Sequence, residues 1–425
     1  MNTKLIAGVI ATCFAAPVLA QSSVQIYGIA DAGIVKTKGE KAKIISGGAD
    51  GSRIGFKGTE DIGGGFKAIF QLEARVELDT GSQTPALVTN NDGFYLRRGM
   101  EGLGPNINGG FALGLKGTGD AAVNSEKALF DRTAMVGLVT PVGAILLGRM
   151  YTPGYEVFAA ADTFENGTGG AWGGITGGTA GFSALGADIR SQKSIQYRIA
   201  TPAGIGGSLM YGFKNSGYLG RYNKFYGAAV TYKANGLDVG IAHNQGYDLA
   251  DRKSLTTSTV GGSYTMGNFK FFAGYHDQKN MNSALLPDYF AIYDNRIAKE
   301  PGYLLLNATT QATLRGIFVA RITENTQIDA NSAQIGLHYK IGAGRIMASV
   351  ARQNDRTRSN SDATLAAIGY DYNLSKRTDV YTTFAHISNQ NDGQYTPGIA
   401  GAPGGFAKVK GDDSHSLLVG IRHRF

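Results

Sequence analysis

The sequence predicts an all-β protein: a transmembrane, antiparallel, up-and-down β-barrel of about eighteen strands. Three observations predict it. Long stretches alternate apolar and polar residues with a period of two. One phrase, an alternating strand with a tyrosine followed by a tight glycine turn, recurs along the chain. Short turns trade places with long polar loops. The 425 residues carry only 10 prolines, and the 62 glycines are spread throughout. With no charge block or Ser/Pro-rich linker to mark a boundary, the chain reads as one large closed unit rather than several domains.

The first element is a leader. MNTKLIAGVIATCFAAPVLA, residues 1–20, has Lys4, an apolar run from Leu5 to Ala16 and a small-residue ending at Ala20. That pattern is a secretory signal peptide cleaved before Gln21, leaving residues 21–425 as a single barrel domain. Its run is too short for a membrane anchor, and no later segment approaches the roughly 18–20 apolar residues of a membrane helix. Cys13, the only cysteine, leaves with it, so the mature chain has no disulfide to staple it. Losing Lys4 takes Lys+Arg from 41 to 40 against 33 Asp+Glu, a mature net charge of +7 that favours anionic partners.

The strands follow. SVQIYGIADAGIV near the mature N-terminus alternates, and so does GFKAIFQLEARVEL at 65–78. In the latter Phe66, Ala68, Phe70, Leu72, Ala74, Val76 and Leu78 share one face, while Lys67, Ile69, Gln71, Glu73, Arg75 and Glu77 share the other. The phrase returns in FYGAAVTYKANG (225–236), TVGGSYTMGN (259–268), AQIGLHYKIGAG (333–344) and LAAIGYDYNLSKR (365–377). Tyr232, Tyr264, Tyr339 and Tyr372 stand beside short turns, where an aromatic girdle marks a membrane interface. The final VGIRHRF alternates to the last residue, so the chain ends inside a strand that pairs with the first.

The turns set the count. Short ones are read at TEDIGGG, GPNINGG, TPVG, TPAG, KANG, TMGN, KIGAG and NLSKRT, and long polar connections at 79–92, 151–188, 279–308 and 391–411. Short turns on one rim and long loops on the other describe a barrel whose closed sheet satisfies every backbone group in lipid. The count of about eighteen strands includes GFYLRRGMEGLGPNINGGFALGLKG (93–117) as a hairpin in the wall. The alternative is sixteen strands with 93–117 as an external hairpin. The apolar LRGIFVARI within 279–330 lacks a return strand and reads as part of an ordered outer loop.

At these residues the chain resembles a known family, the general (non-specific) porins of Gram-negative outer membranes, in particular their beta-proteobacterial branch. The matching pieces are VQIYGIADAGI, SRIGFKGTEDIGGGFKAIFQLE, FDRTAMVGL with LGRMYTPGYEVF, LSKRTDVYTTFAH and the terminal GIRHRF. Together they bracket nearly the whole mature chain. The resemblance implies a multi-pass outer-membrane protein, a homotrimer of water-filled barrels among lipid and lipopolysaccharide. Each barrel would have short periplasmic turns, long external loops and one loop folded inward as a constriction. The family barrel resembles sixteen strands, and the 93–117 segment is where this chain departs from it.

The constriction loop is expected at 151–188, with Glu156, Asp162 and Glu165 as its acids and Trp172 in its glycine-rich part. Arg53 and Lys57 share a strand face opposite Ile54 and Phe56, so parity points both into the lumen, and Arg75 likewise. The resemblance places Arg53, Arg149 and Arg190 on the basic side of the eyelet, and Arg132 joins them. Strict alternation instead puts Arg149 with Ile145 and Leu147 on the lipid side, where a charge costs about 2–4 kcal/mol at mid-membrane. The family position is preferred here. Phe425 resembles the family's terminal assembly signal.

Other chemistry is thin. There is no H-E-x-x-H, G-x-S-x-G, Walker-type or C-x-x-C motif, and no histidine pair has metal-ligand spacing. No enzyme activity, cofactor, metal or nucleic-acid partner is expected. The reading is a pore for passive diffusion of small hydrophilic solutes and ions, weakly anion-selective. A solute-selective channel is the alternative. A barrel enzyme lacks a local motif, and an adhesin lacks a passenger domain.

Overall fold

The computed structural model describes residues 23–83, 99–100, 103, 128–176, 189–217, 221–398 and 407–425. Residues 1–20, expected as the leader, lie outside the described residues. The strands in chain order are β1 (Ser23–Thr37), β2 (Lys43–Ser46), β3 (Arg53–Gly63), β4 (Phe66–Arg75), β5 (Thr133–Thr140) and β6 (Gly143–Tyr151). Next come β7 (Arg190–Ala200), β8 (Ile205–Gly217), β9 (Tyr222–Ala234), β10 (Leu237–Asp248), β11 (Lys253–Met266) and β12 (Phe269–Asn280). The last are β13 (Ile328–Ile341), β14 (Gly344–Asp355), β15 (Ala363–Asn373), β16 (Thr378–Asn389) and β17 (Ser414–Arg424).

All pair antiparallel in one sheet of 17 segments, closed where β1 meets β17 with Ile29 opposite Arg424 and Thr37 opposite Ser416. β2 and β3 are two pieces of a single stave. β2 pairs with the external half of β1 (Ala32 opposite Ser46), and β3 with its other half (Ile29 opposite Arg53). The 17 segments therefore make a barrel of 16 staves.

The expectation of about eighteen is corrected to the alternative of sixteen. β4 pairs directly with β5, Glu73 opposite Thr133 and Lys67 opposite Val139, which leaves no room for two more staves between them. Most of the 93–117 hairpin lies outside the described residues, as does its GPNINGG turn. Alternation reports that a segment suits a strand, not which sheet it joins. The other short turns fall where the glycine and proline signals placed them, joining β3–β4, β5–β6, β7–β8, β9–β10, β11–β12, β13–β14 and β15–β16. The LRGIFVARI stretch, read as part of an ordered outer loop, is helical there.

The barrel is apolar outside. Ile335, Leu209, Val230, Ile241 and Val419 are among its most exposed large side chains, with Ile335 at 68%. Alternation sends these outward, and closure leaves no unpaired edge in lipid. Tyr264 and Tyr372 stand exposed beside their turns, and Phe269 leans on Tyr339 with ring centroids 4.8 Å apart.

The inner face is not uniformly wet. Phe158, Ala161, Phe164, Trp172 and Ile175 of the β6–β7 loop pack on Met347, Ala351, Leu365, Ala367, Ala385 and Ile387 of β14, β15 and β16. The core of this protein thus lies inside the barrel, between the wall and an inward-folded loop.

Candidate functional site

The inward loop begins with Thr152, which caps helix α1 (Pro153–Ala161). Its hydroxyl accepts from the N–H of Tyr155 (3.2 Å) and from the Asn244 amide (3.1 Å). Pro153 opens the helix, where its missing N–H costs nothing. The helix lies against the inner wall of β9 to β12 because the wall is thinned there. At Gly240 an added Cβ would stand 2.9 Å from Val157, and at Gly274 it would stand 2.6 Å from the Trp172 ring. At Gly336 it would be 2.1 Å from the Thr163 hydroxyl. With Gly261 of β11, where a Cβ would stand 2.9 Å from Ala161, these glycines take the luminal positions of β10 to β13 and form a bed for the loop.

Past α1 the loop turns around Asp162. Its carboxylate accepts from the N–H groups of Phe164 (2.9 Å), Asn166 (3.1 Å) and Trp172 (3.1 Å). Trp172 is wholly buried and stacks on Phe158, centroids 4.4 Å apart. Further on, the Thr168 N–H donates to the carbonyl of Gly48 (2.7 Å). Gly48 belongs to residues 47–52, the break between β2 and β3, which Asp31 holds by accepting from the N–H groups of Ala49 (2.9 Å) and Asp50 (2.7 Å). The interrupted stave therefore gives the loop an anchor on the far wall.

Of the three loop acids expected at the constriction, Glu165 is exposed, Glu156 half-buried and Asp162 buried. Glu156 meets Arg198 of β7 at 2.5 Å. Glu165 makes a two-pronged bond to Arg345 of β14, 2.6 and 2.9 Å, and Arg345 also holds Asp371 at 2.8 Å. Asp162 is a correction: it is buried at 1% exposure and spent on the backbone turn, so it does not face the solute path. Burial pushes its carboxyl up to about 7 against those three N–H donors. Burial also acts on Glu165, but the Arg345 guanidinium more than offsets it and holds the acid down at about 2. For Glu156, burial outweighs Arg198 and the carboxyl is raised.

The arginines gather on the opposite arc. Arg53, Arg75, Arg132 and Arg190 sit at the external ends of neighbouring staves, brought together by register. Glu73 is their hub. It accepts from Arg132 Nε at 2.6 Å and from the Tyr27 hydroxyl at 3.1 Å, with Arg53 3.9 Å away. Arg53 also pairs with Asp50, and Arg75 with Asp131 (3.2 Å) and Glu77 (3.3 Å). Arg190 differs. Its guanidinium lies 4.3 Å over the Tyr151 ring and donates to that hydroxyl at 2.7 Å, and its Nε has no hydrogen-bond partner. Among the described residues no carboxylate lies within ion-pair distance of it.

Lys57 reaches toward the Tyr27 ring, 5.1 Å from its centroid, on the luminal face as parity required. Arg149 is the second correction. It stands opposite Ala134 while Leu147 stands opposite Val136, so it keeps the outward register that strict alternation assigned. Its Nε bends to the carbonyl of Asp131 at 2.7 Å, at the external rim. A long arginine can reach polar groups at a rim, which removes the objection of a charge in lipid.

Sequence reasoning missed Tyr151 as the arginine partner, Arg198 and Arg345 as loop anchors, and the Gly48–Thr168 clasp. One signal is present: glycine at luminal parity in consecutive strands, in YGAAV, LDVGI, TVGGSY, FFAGYH and AQIGLHY.

With the geometry in view, a family model described as Gram-negative porin matches residues 7–392. The outer membrane porin protein 32 of Delftia acidovorans is 26% identical over 96% of this chain and 95% of its own. In fold, the chain is similar to the anion-selective porin from Comamonas acidovorans, with a TM-score of 0.65 at 21% identity over 95% of this chain and 100% of that one. It is also similar to the trimer form of OmpT, an outer membrane protein of Vibrio cholerae, with a TM-score of 0.57 at 15% identity over 95% and 99%.

Proposed function

This chain belongs to the Gram-negative porin family, an outer-membrane channel for passive diffusion and not an enzyme, and from that premise we propose that its pore admits small hydrophilic solutes and ions with a weak preference for anions. The observation that carries the preference is the pairing pattern on the luminal face. Arg53, Arg75 and Arg132 have carboxylate partners, and the loop acids Glu156 and Glu165 have arginine partners in Arg198 and Arg345. Arg190, Lys57 and Lys270 are held by aromatic rings instead. Paired charges cancel at a distance, so the unpaired cations set the sign of the potential a solute meets. The preference is weak because exposed charges are screened over about 8 Å at physiological salt. The full-chain net charge of +8 has the same sign.

The narrowest passage, on this reading, lies between the loop that carries Glu156 and Glu165 and the arc of Arg53, Arg75, Arg132 and Arg190. Residues 1–20 act as the export signal, and Phe425 marks the chain for outer-membrane assembly. Three barrels associate through outward faces while lipid and lipopolysaccharide cover the rest. The small outward residues Ala30 and Ala32 of β1 suit close subunit approach, and the trimer form of the OmpT relative agrees with such an assembly.

The test is the reversal potential of the purified protein in a planar bilayer under a salt gradient. Wild type is expected on the anion side. Arg53→Glu should shift it toward cations more than Lys41→Glu, because Lys41 lies exposed in the β1–β2 loop. A cation-selective wild type, or equal shifts from the two substitutions, refutes the reading.

A further inference from the structure

The loop between β12 and β13 is far longer than a connection requires. It carries helix α2 (Leu286–Asn295), a single helical turn at Pro301–Leu304 and helix α3 (Ala308–Asn325). Asn307 caps α3 by accepting from the Thr310 N–H at 2.9 Å. One face of α3, with Phe318 and Ile322, packs on Leu286, Tyr289, Tyr293 and Ile297. The Tyr293 hydroxyl donates to that of Tyr303 at 2.9 Å, and Arg315 of α3 holds Asp294 of α2 at 3.0 Å. This is a small helical unit with its own core.

That core includes a residue from the far side of the barrel. Met100, in the connection between β4 and β5, is wholly buried in it, Leu103 packs against it, and Gly99 backs onto the Arg321 side chain. β4 and β5 are the third and fourth of the 16 staves, and β12 and β13 are the eleventh and twelfth. The two connections therefore leave the rim at diametrically opposite points. Staves about 4.8 Å apart and tilted by about 40° make a 16-stave barrel roughly 30 Å across. The core shared by segments rooted that far apart is a bridge between connections from opposite sides of the rim.

The bridge is fastened at its flanks too. Arg221, beyond β8, holds Asp288 of α2 at 2.6 Å. The Asn282 amide donates to Asp248 at the end of β10 at 2.9 Å. Arg358, beyond β14, reaches Glu324 of α3 at 3.1 Å. Each exposed pair contributes little alone, but together they fix the unit to three flanking connections, and the Met100 core fixes it to a fourth on the opposite side of the rim.

We propose that α2 and α3 form a docked canopy across the external mouth, a second size filter in series with the inner loop. This rests on the reading of the barrel as a passive channel. Solutes reach the lumen around the canopy, so it discriminates by bulk while small ions pass with little hindrance. Its effect falls on the ratio of large to small solute permeation, not on the sign of ion selectivity.

The test uses the full protein in liposomes, with swelling rates for arabinose and raffinose. Two variants are compared with wild type: one with residues 286–325 replaced by a short Gly/Ser linker, and Met100→Asp, which puts a charge in the shared core and leaves the barrel untouched. Heat-modifiable migration in gels verifies that each barrel is folded. The raffinose-to-arabinose ratio is expected to rise several-fold in both, with the reversal potential unchanged. An unchanged ratio in two folded variants overturns the canopy. A wild type that passes neither sugar overturns the channel reading instead.

Discussion

Phe425 and Gly28 exchange two backbone hydrogen bonds, Gly28 N–H to the Phe425 carbonyl at 3.0 Å and Phe425 N–H to the Gly28 carbonyl at 3.1 Å. The last residue of the chain thereby closes the seam between β17 and β1. Its ring reaches over Gly28, where an added Cβ would stand 2.3 Å from Phe425 Cζ and 2.6 Å from the Arg53 carbonyl. Glycine is required here by this close approach of ring and backbone.

Gly28→Val and Phe425→Ser should both impair closure. Valine must displace the ring or the strand, and serine removes the apolar cover. Folded outer-membrane protein is expected to fall several-fold in each, measured by heat-modifiable mobility in gels, while conductance per assembled channel stays at the wild-type value. Normal outer-membrane levels of Phe425→Ser would remove the assembly role of that residue.

Arg190→Gln should lower anion preference without unfolding anything. Arg190 has no carboxylate within ion-pair distance among the described residues, so its removal leaves no buried acid uncompensated. Arg345→Gln is the contrast, because it strands the buried Asp371 as well as the exposed Glu165; with Glu165 open to solvent the cost falls below the about 3–5 kcal/mol of a fully buried pair. The reversal potential of Arg190→Gln should move toward cations at unchanged thermal stability, and Arg345→Gln should lose stability.

Trp172, the single tryptophan, reports the docking of the inner loop, and two acids give that docking opposite pH responses. Asp162 titrates at about 7 in the folded loop against 3.8 in a free chain, so its proton favours docking and that contribution is lost as pH rises through 7. Glu165 is held at about 2 against 4.5, so its contribution is present above 4.5 and lost as pH falls toward 2. Acrylamide quenching of Trp172 should pass through a minimum between those limits. Asp162→Asn should abolish the rise on the alkaline side, and Glu165→Gln the rise on the acid side. A flat quenching profile in wild type would contradict both assignments.

Gly274→Val should expel the loop from its bed. The new side chain meets the Trp172 ring, and overpacking of this kind costs about 1–3 kcal/mol. The expected readouts are red-shifted Trp172 emission and a noisier, more variable single-channel conductance, with the barrel still heat-modifiable. Wild-type emission would show that the glycine bed is dispensable.

Local patterning is enough to specify the barrel. Period-two alternation in segments such as 65–78 assigns one face outward, and glycine turns at TPVG, TPAG and KANG end the strands, because both signals are local and depend only on backbone geometry. It also placed Arg53, Lys57 and Arg75 in the lumen by parity, and left Arg149 outside when parity was followed.

The remaining features depend on long-range packing. Strand propensity in 93–117 could not say which neighbour that segment meets, whereas the pairing of Glu73 with Thr133 fixes sixteen staves. An acid in a loop reads alike whether it is buried or wet. Asp162 became a turn staple and Glu165 an exposed ligand of Arg345 because of which N–H groups and guanidinium the fold set beside them. Met100 and Phe318 lie more than two hundred positions apart and owe their shared core to barrel closure. No local pattern carries such a distance, since it is the ring of staves that sets which loops face each other across the mouth.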